Sequence, residues 1–173
     1  MKRLLSIIGA ITLVGTSTTS LIACNTAQEY TPEELKELKE KNKIDTADEN
    51  IKNNLEWIAP QEKPFNEVDN KYYFVVWRGD ENDNWRIVKF KNDSQNTKKI
   101  DNINDYSLIF HWWDKPKVHH YDLTVSGIRG HAEHIWGENS GINYFKAVYR
   151  WNLDTQEPDL ILDDNGNVKV KRE

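Results

Sequence analysis

The sequence predicts an α+β fold: a short N-terminal helical segment followed by an antiparallel β-meander or small sandwich. Three observations carry this expectation. Helix-start signals are confined to the first third of the chain, at Thr31-Pro32-Glu33-Glu34 and Thr46-Ala47-Asp48-Glu49. From Lys71 onward, short runs of β-branched and aromatic residues alternate with Asn-, Asp- and Gly-rich turns. Strands and helical stretches do not alternate along the chain, so a parallel βαβ sheet is not expected.

Before the first helix the chain has a different character. Met1-Lys2-Arg3 is basic, and Leu4 to Val14 is apolar except for Ser6, Gly9 and Thr12. Small polar residues from Gly15 to Ser20 then lead into Leu21-Ile22-Ala23-Cys24. A charged start, an apolar middle and a small-residue end are the order of a secretory signal. The apolar run is too short to span a hydrocarbon core of about 30 Å.

Leu21-Ile22-Ala23-Cys24 resembles the lipobox of bacterial lipoproteins, and the Thr/Ser-rich stretch before it is similar to surface lipoproteins of mollicutes, the wall-less bacteria. The resemblance covers residues 1–24. It implies a signal peptide at 1–23, a diacylglyceryl group on the Cys24 sulfur, and a chain held on the outer face of the cell membrane. A thiolate is a strong nucleophile and a natural acceptor for the lipid. At about 0.8 kcal/mol per buried CH₂, two acyl chains anchor stably where one does not. The lipid bilayer is therefore the partner expected at Cys24.

Residues 24–31, the cysteine and a stretch without periodicity, read as a tether. Residues 32–58 read as a helical stalk. Its first helix is capped by Thr31, has Pro32 at the first position and Glu34 closing a capping box, and runs to about Asn42. Leu35 and Leu38 form a narrow apolar stripe, and Glu37 and Lys41 are spaced for an i,i+4 pair. The second helix places Ile51, Leu55 and Ile58 on one face. Pro60 ends it, and residues 59–70 read as a linker.

The β-domain is expected over 71–173. Tyr72 to Trp77 and Trp85 to Phe90 form a hairpin around the turn-rich 79–83 stretch. Residues 92–105 read as an exposed loop. Tyr106 to Trp113 is a third strand, and Val118 to Val125 a fourth. In the fourth, Tyr121, Leu123 and Val125 share one face while His120, Asp122 and Thr124 share the other. Tyr144 to Trp151 places Phe145, Ala147, Tyr149 and Trp151 together. Asp159 to Leu162 and Val168 to Lys171 flank Asn165-Gly166, which suits a type I′ turn.

Composition narrows the function. The 149 residues beyond Cys24 are enough for one core. Seven Trp and seven Tyr mark a folding chain rather than a disordered one. Net charge is −5, and −7 once Lys2 and Arg3 of the leader are set aside. Such a domain is not built to grip phosphate backbones, so nucleic acid is not an expected partner. Cys24 is the only cysteine, so no disulfide forms within the chain.

Several constellations are candidates for chemistry. All five histidines lie between 111 and 134: His111, His119, His120, His131 and His134. Imidazoles bind metal when three or four converge; His119, His120, His131 and His134 are the candidate ligands. The adjacent pair His119-His120 points to opposite strand faces, and surface histidines are the plainer reading. Arg78-Gly79-Asp80 spells an integrin-type tripeptide in a hairpin loop, although Gly-Asp is also ordinary turn chemistry. Asp80-x-Asn82-x-Asn84 and Asp163-x-Asn165-x-Asn167 resemble calcium loops but lack the glycine at position six and the glutamate at twelve.

Trp112 and Trp113 are strand neighbours, so one of them is exposed unless both sheet faces are covered. Trp136 lies in a Gly-rich stretch with no evident element. Trp112, Trp113 and Trp136, with Arg78 and Asp80, are the candidate ligand-binding residues. There is no Gly-x-Ser-x-Gly, no phosphate loop and no free cysteine nucleophile. No catalytic residue and no cofactor is expected.

The sequence therefore leads to a membrane-anchored, non-catalytic binding or adhesion module. Its partner is a host or neighbouring surface protein, or a glycan. The alternatives are metal or small-solute capture by the His111–His134 cluster and, behind that, a hydrolase without a visible motif.

Overall fold

The computed structural model describes residues 29–115, 118–127, 133–138 and 141–171. Cys24 and His131 lie outside the described residues, as does the side chain of His119.

The architecture is α+β and mostly antiparallel sheet, with two α-helices among the described residues. Helices α1 (Pro32–Lys41) and α2 (Glu49–Asn54) come first, followed by β1 (Leu55–Trp57) and a 3₁₀ turn at Pro60–Glu62. Then come β2 (Tyr72–Trp77), β3 (Arg86–Lys91), β4 (Lys98–Ile103), β5 (Tyr106–Lys115), β6 (Val118–Gly127) and β7 (Glu133–Ile135). The chain closes with β8 (Phe145–Trp151), β9 (Leu160–Leu162) and β10 (Val168–Val170). One sheet has the order β1-β8-β2-β3, the second β4-β5-β6-β7, and β9 and β10 pair by themselves.

The two larger sheets face each other across one core. Tyr73, Val75, Trp77 and Phe90 from the first sheet meet Leu108, Phe110, Leu123 and Val125 from the second. The first sheet is covered on its other face too. There Phe74, Val76, Tyr149 and Trp151 pack with Ile44, Ile51 and Leu55 from the N-terminal segment and Leu160 and Val168 from the last hairpin. This double burial explains why β2 reads as an unbroken apolar run and not as an alternating one.

The capping box expected at α1 is present: Thr31 Oγ1 accepts from Glu34 N–H, and Glu34 Oε2 from Thr31 N–H. The second helix differs from expectation. Asp48 caps it in place of Thr46, accepting from the N–H groups of Asn50 (2.9 Å) and Ile51 (3.1 Å). It also ends at Asn54, whose side-chain amide donates to Asn50 O at 2.8 Å, and the chain becomes strand β1 beside β8. Ile51 and Leu55 stay on the outer face of the sheet, while Ile58 crosses into the inter-sheet core. The i, i+4, i+7 spacing thus came from two faces of a sheet, not from one face of a helix.

Three further expectations are corrected. The stretch read as a linker carries Phe65 into the centre of the core, with ring centroids 5.0–5.9 Å from Tyr73, Phe110, Phe90 and Trp136. The stretch read as a loop contains β4; a register shift between Lys99 and Asp101 breaks its period of two. In β8 a register shift places Phe145 in the inter-sheet core, whereas Ala147, Tyr149 and Trp151 face outward. The faces expected for β6 are observed: Tyr121, Leu123 and Val125 on the core side, Asp122 and Thr124 opposite.

Candidate functional site

On β5 the core-facing residues are Leu108, Phe110 and Trp112 in turn. Leu108 and Phe110 are fully buried, but Trp112 is 44% exposed. The register explains the difference. The β4 pairing begins with Lys98 opposite Phe110, so β4 does not extend alongside Trp112. Trp113 turns to the opposite face, is only 8% exposed, and donates its indole N–H to Thr124 Oγ1 at 2.9 Å. The tryptophan pair is therefore divided between an exposed ring and a buried one.

The Trp112 ring has a fixed neighbour. Tyr121 stands opposite it in register, with centroids 5.3 Å apart in an edge-on arrangement. Tyr121 in turn stacks on buried Phe110 at 5.0 Å, and its hydroxyl donates to the Gln95 carbonyl. The Gln95 side-chain amide donates to Asn66 O at 2.7 Å. Lys98 Nζ donates to Lys91 O, pairs with Asp93 at 3.0 Å, and lies 5.7 Å from the Phe110 ring. The result is an aromatic pair, Trp112 and Tyr121, fixed from below by Phe110. Such a surface stacks against the C–H face of a sugar or against a planar side chain.

The other candidates are placed as follows. The Arg78 guanidinium lies 4.4 Å over the Trp85 ring and donates to the carbonyls of Asn143 and Glu81. Asp80 accepts from the backbone and side-chain amides of Asn82, which hold its carboxyl below the usual range. The tripeptide is thus engaged by its own loop and by Trp85 and the Asn143 carbonyl beside it. Asp163 likewise accepts from Asn165 N–H and Asn167 N–H, so both calcium-like patterns act as turn formers. Trp136 is a core residue packed on Phe65.

The histidines whose side chains are described, His111, His120 and His134, divide between two faces. His111 shares a face with Trp113, contacting it edge-on at 4.9 Å, and its Nδ1 lies 3.0 Å from Thr97 Oγ1. His120 is on that same outer face, with Nε2 3.4 Å from Asp122 Oδ2. His134 pairs with Val125 in register and stacks on Tyr144 at 3.5 Å. Among the described residues, no group of three or more His, Cys, Asp or Glu is arranged to hold a metal ion.

Asp122 is the buried carboxyl of this region. Burial pushes its proton affinity up, while His120 and the N–H groups of Leu123 (2.7 Å) and Gly137 (3.0 Å) pull it down, and burial prevails. Its contacts tie β6 to the turn after β7, a structural task.

Sequence reasoning missed Tyr121 beside Trp112. The alternation of β6 already placed Tyr121 on the core face; what it lacked was the cross-strand register that sets Tyr121 opposite Trp112. Among the described residues, no helix is long and apolar enough to cross a membrane. No family model, curated protein or solved structure matches the chain.

Proposed function

We propose that the chain is a lipid-anchored surface lipoprotein whose β-domain, a small two-sheet sandwich with a helical lead-in, is a non-catalytic glycan-binding module. The anchor reading rests on the lipobox at Leu21-Ile22-Ala23-Cys24. The binding reading rests on one observation: a 44% exposed Trp112 supported by a Tyr121 ring that is itself stacked on the core. A stable protein interface buries about 800 Å² per partner, far more than one indole supplies. A single sugar ring needs only a stacking face with a hydrogen-bonding group nearby, and the Tyr121 ring beside Trp112 carries a hydroxyl fixed on the Gln95 carbonyl.

The test uses the full chain as isolated from its membrane. Mass spectrometry of that material reports the anchor: a diacylated N-terminal Cys24 is expected, and an unmodified thiol or a retained leader refutes the anchor. On a glycan array, Trp112→Ala is expected to lose about tenfold or more in affinity, or about 1.4 kcal/mol, with the melting temperature unchanged. Array binding equal to that of the unsubstituted chain, or no glycan bound by either, refutes the binding reading.

A further inference from the structure

A second place on the molecule has the chemistry of a binding site. A cleft of about 360 Å³ opens between the 41–45 segment and the β9–β10 hairpin, on the face of the first sheet turned away from the second. It is separate from Trp112, and nothing in the preceding section depends on it.

Charge is its first distinguishing feature. The chain beyond Cys24 carries a net charge of −7, yet four lysines, Lys41, Lys43, Lys146 and Lys169, line this cleft against two aspartates. One of those aspartates, Asp163, is already engaged. Its carboxylate closes the hairpin loop by accepting from Asn165 N–H, Asn167 N–H and the Asn167 side chain, and it lies 4.0 Å from Lys169. Lys43 forms an exposed pair with Glu40, a kind worth little. Lys41 and Lys146 remain, and among the described residues neither has a carboxylate within ion-pair distance. The i,i+4 spacing of Glu37 and Lys41 suggests a pair, but Lys41 lines the cleft without one. Lys146 Nζ donates to the Asn165 carbonyl, which holds its ammonium at the loop.

The walls are fixed before any ligand arrives. The Tyr149 hydroxyl donates to Asn42 O at 3.0 Å, tying the 41–45 wall to β8. Across the cleft, Gly166 N–H donates to Asp163 O at 2.8 Å, and the Gly166 backbone sits tight against Trp85. Ile44, Ala147 and Val168 add an apolar lining to the charged rim. A preformed concavity with an apolar floor and a few converging charges is the ordinary form of a small-ligand site. Two unpaired ammoniums match the roughly two negative charges of a phosphate monoester near neutral pH, and lysine binds phosphate as a point charge. Four lysines against two aspartates make the local field of the cleft positive, which draws anions to it although the domain as a whole is acidic.

We propose that this cleft binds a phosphate ester, with the phosphate between Lys41 and Lys146 and the organic group over Ile44, Ala147 and Val168. Two sources supply such a group: a soluble phosphorylated metabolite, or a phospholipid beneath the anchored domain whose headgroup is a phosphate monoester. The full chain in dodecyl maltoside is titrated calorimetrically with glycerol 3-phosphate and with dihexanoyl phosphatidic acid. At least one is expected to bind with a Kd below about 1 mM and to weaken as salt is raised. Preference for the first assigns the site to soluble esters, and preference for the second to headgroups. The double variant Lys41→Ala/Lys146→Ala is expected to weaken binding about tenfold or more, the double arginine variant to retain it, and Trp112→Ala to leave it unchanged. The lysines are exposed, so all variants are expected to melt like the parent chain. Failure of both probes to bind, or binding that the double alanine variant does not weaken, overturns the proposal.

Discussion

Gly166 shows what one residue can demand of a loop. It holds φ +74°, and a Cβ built on it falls 2.6 Å from Trp85 Cδ1. The Asn-Gly pair marks a turn in the sequence, and a turn is there, but it is not type I′, since Asn165 is not left-handed. Asp163 is the reason. Its carboxylate captures the amides of Asn165 and Asn167, and the loop closes through Gly166 N–H to Asp163 O. Only the glycine then needs the left-handed region. Gly166→Ala is expected to cost about 2 kcal/mol or more, combining left-handed strain with overpacking against the indole. A urea unfolding midpoint equal to that of the parent chain would contradict this.

At the scale of elements, α1 is instructive because it contributes no fully buried residue. It is held largely by polar contacts. Lys39 bridges Glu56 on β1 and Glu62 on the 3₁₀ turn, and Glu56 also accepts from Arg150 (2.8 Å) and Asn152 (3.1 Å). Burial opposes both charges, lowering the proton affinity of Lys39 and raising that of Glu56. The hydrogen bonds and opposite charges outweigh burial, so Lys39 titrates above its usual range and Glu56 below it. The depressed carboxyl stabilises the fold fully above its unfolded value of about 4.3, and that contribution is lost as pH falls through the folded value. The raised ammonium contributes fully below about 10.4, and that contribution is lost as pH rises through its folded value. Lys39→Met is therefore expected to cost about 1 kcal/mol between roughly pH 5 and 10, with the difference shrinking on both sides. Urea titrations across pH check it; a pH-independent difference would leave the bridge without an energetic role.

The α1 cap was legible because Thr31 to Glu34 is a local pattern, complete within four residues. Strand β4 was not, because its register shift breaks the alternation that identifies a strand. Strand β1 was hidden because Leu55 and Ile58 serve opposite faces of the sheet at a helical spacing. The exposed ring at Trp112 was half legible. The sequence shows that the Trp112-Trp113 pair splits between faces, but not that Ile135 covers Trp113 while the end of β4 leaves Trp112 open.

For the whole molecule, the decisive residue is Phe65, whose ring lies among Tyr73, Phe90, Phe110 and Trp136 from both sheets. Phe65→Ala is expected to cost about 3–5 kcal/mol, a large share of the stability of a domain this size. Thermal unfolding within a degree or two of the parent would show that the sheets do not depend on this plug. By itself the sequence determined the antiparallel α+β class, the strands at β2, β5 and β6, the faces of β6 and the start of α1. Those features follow from periodicity and capping within one segment, which neighbours do not alter. Only the tertiary structure decided that the first sheet is buried on both faces, that Phe65 belongs to the core, and that Trp112 meets solvent while Trp113 does not. The reason is physical: period and turn chemistry are properties of a segment, whereas burial depends on which distant segments pack against it.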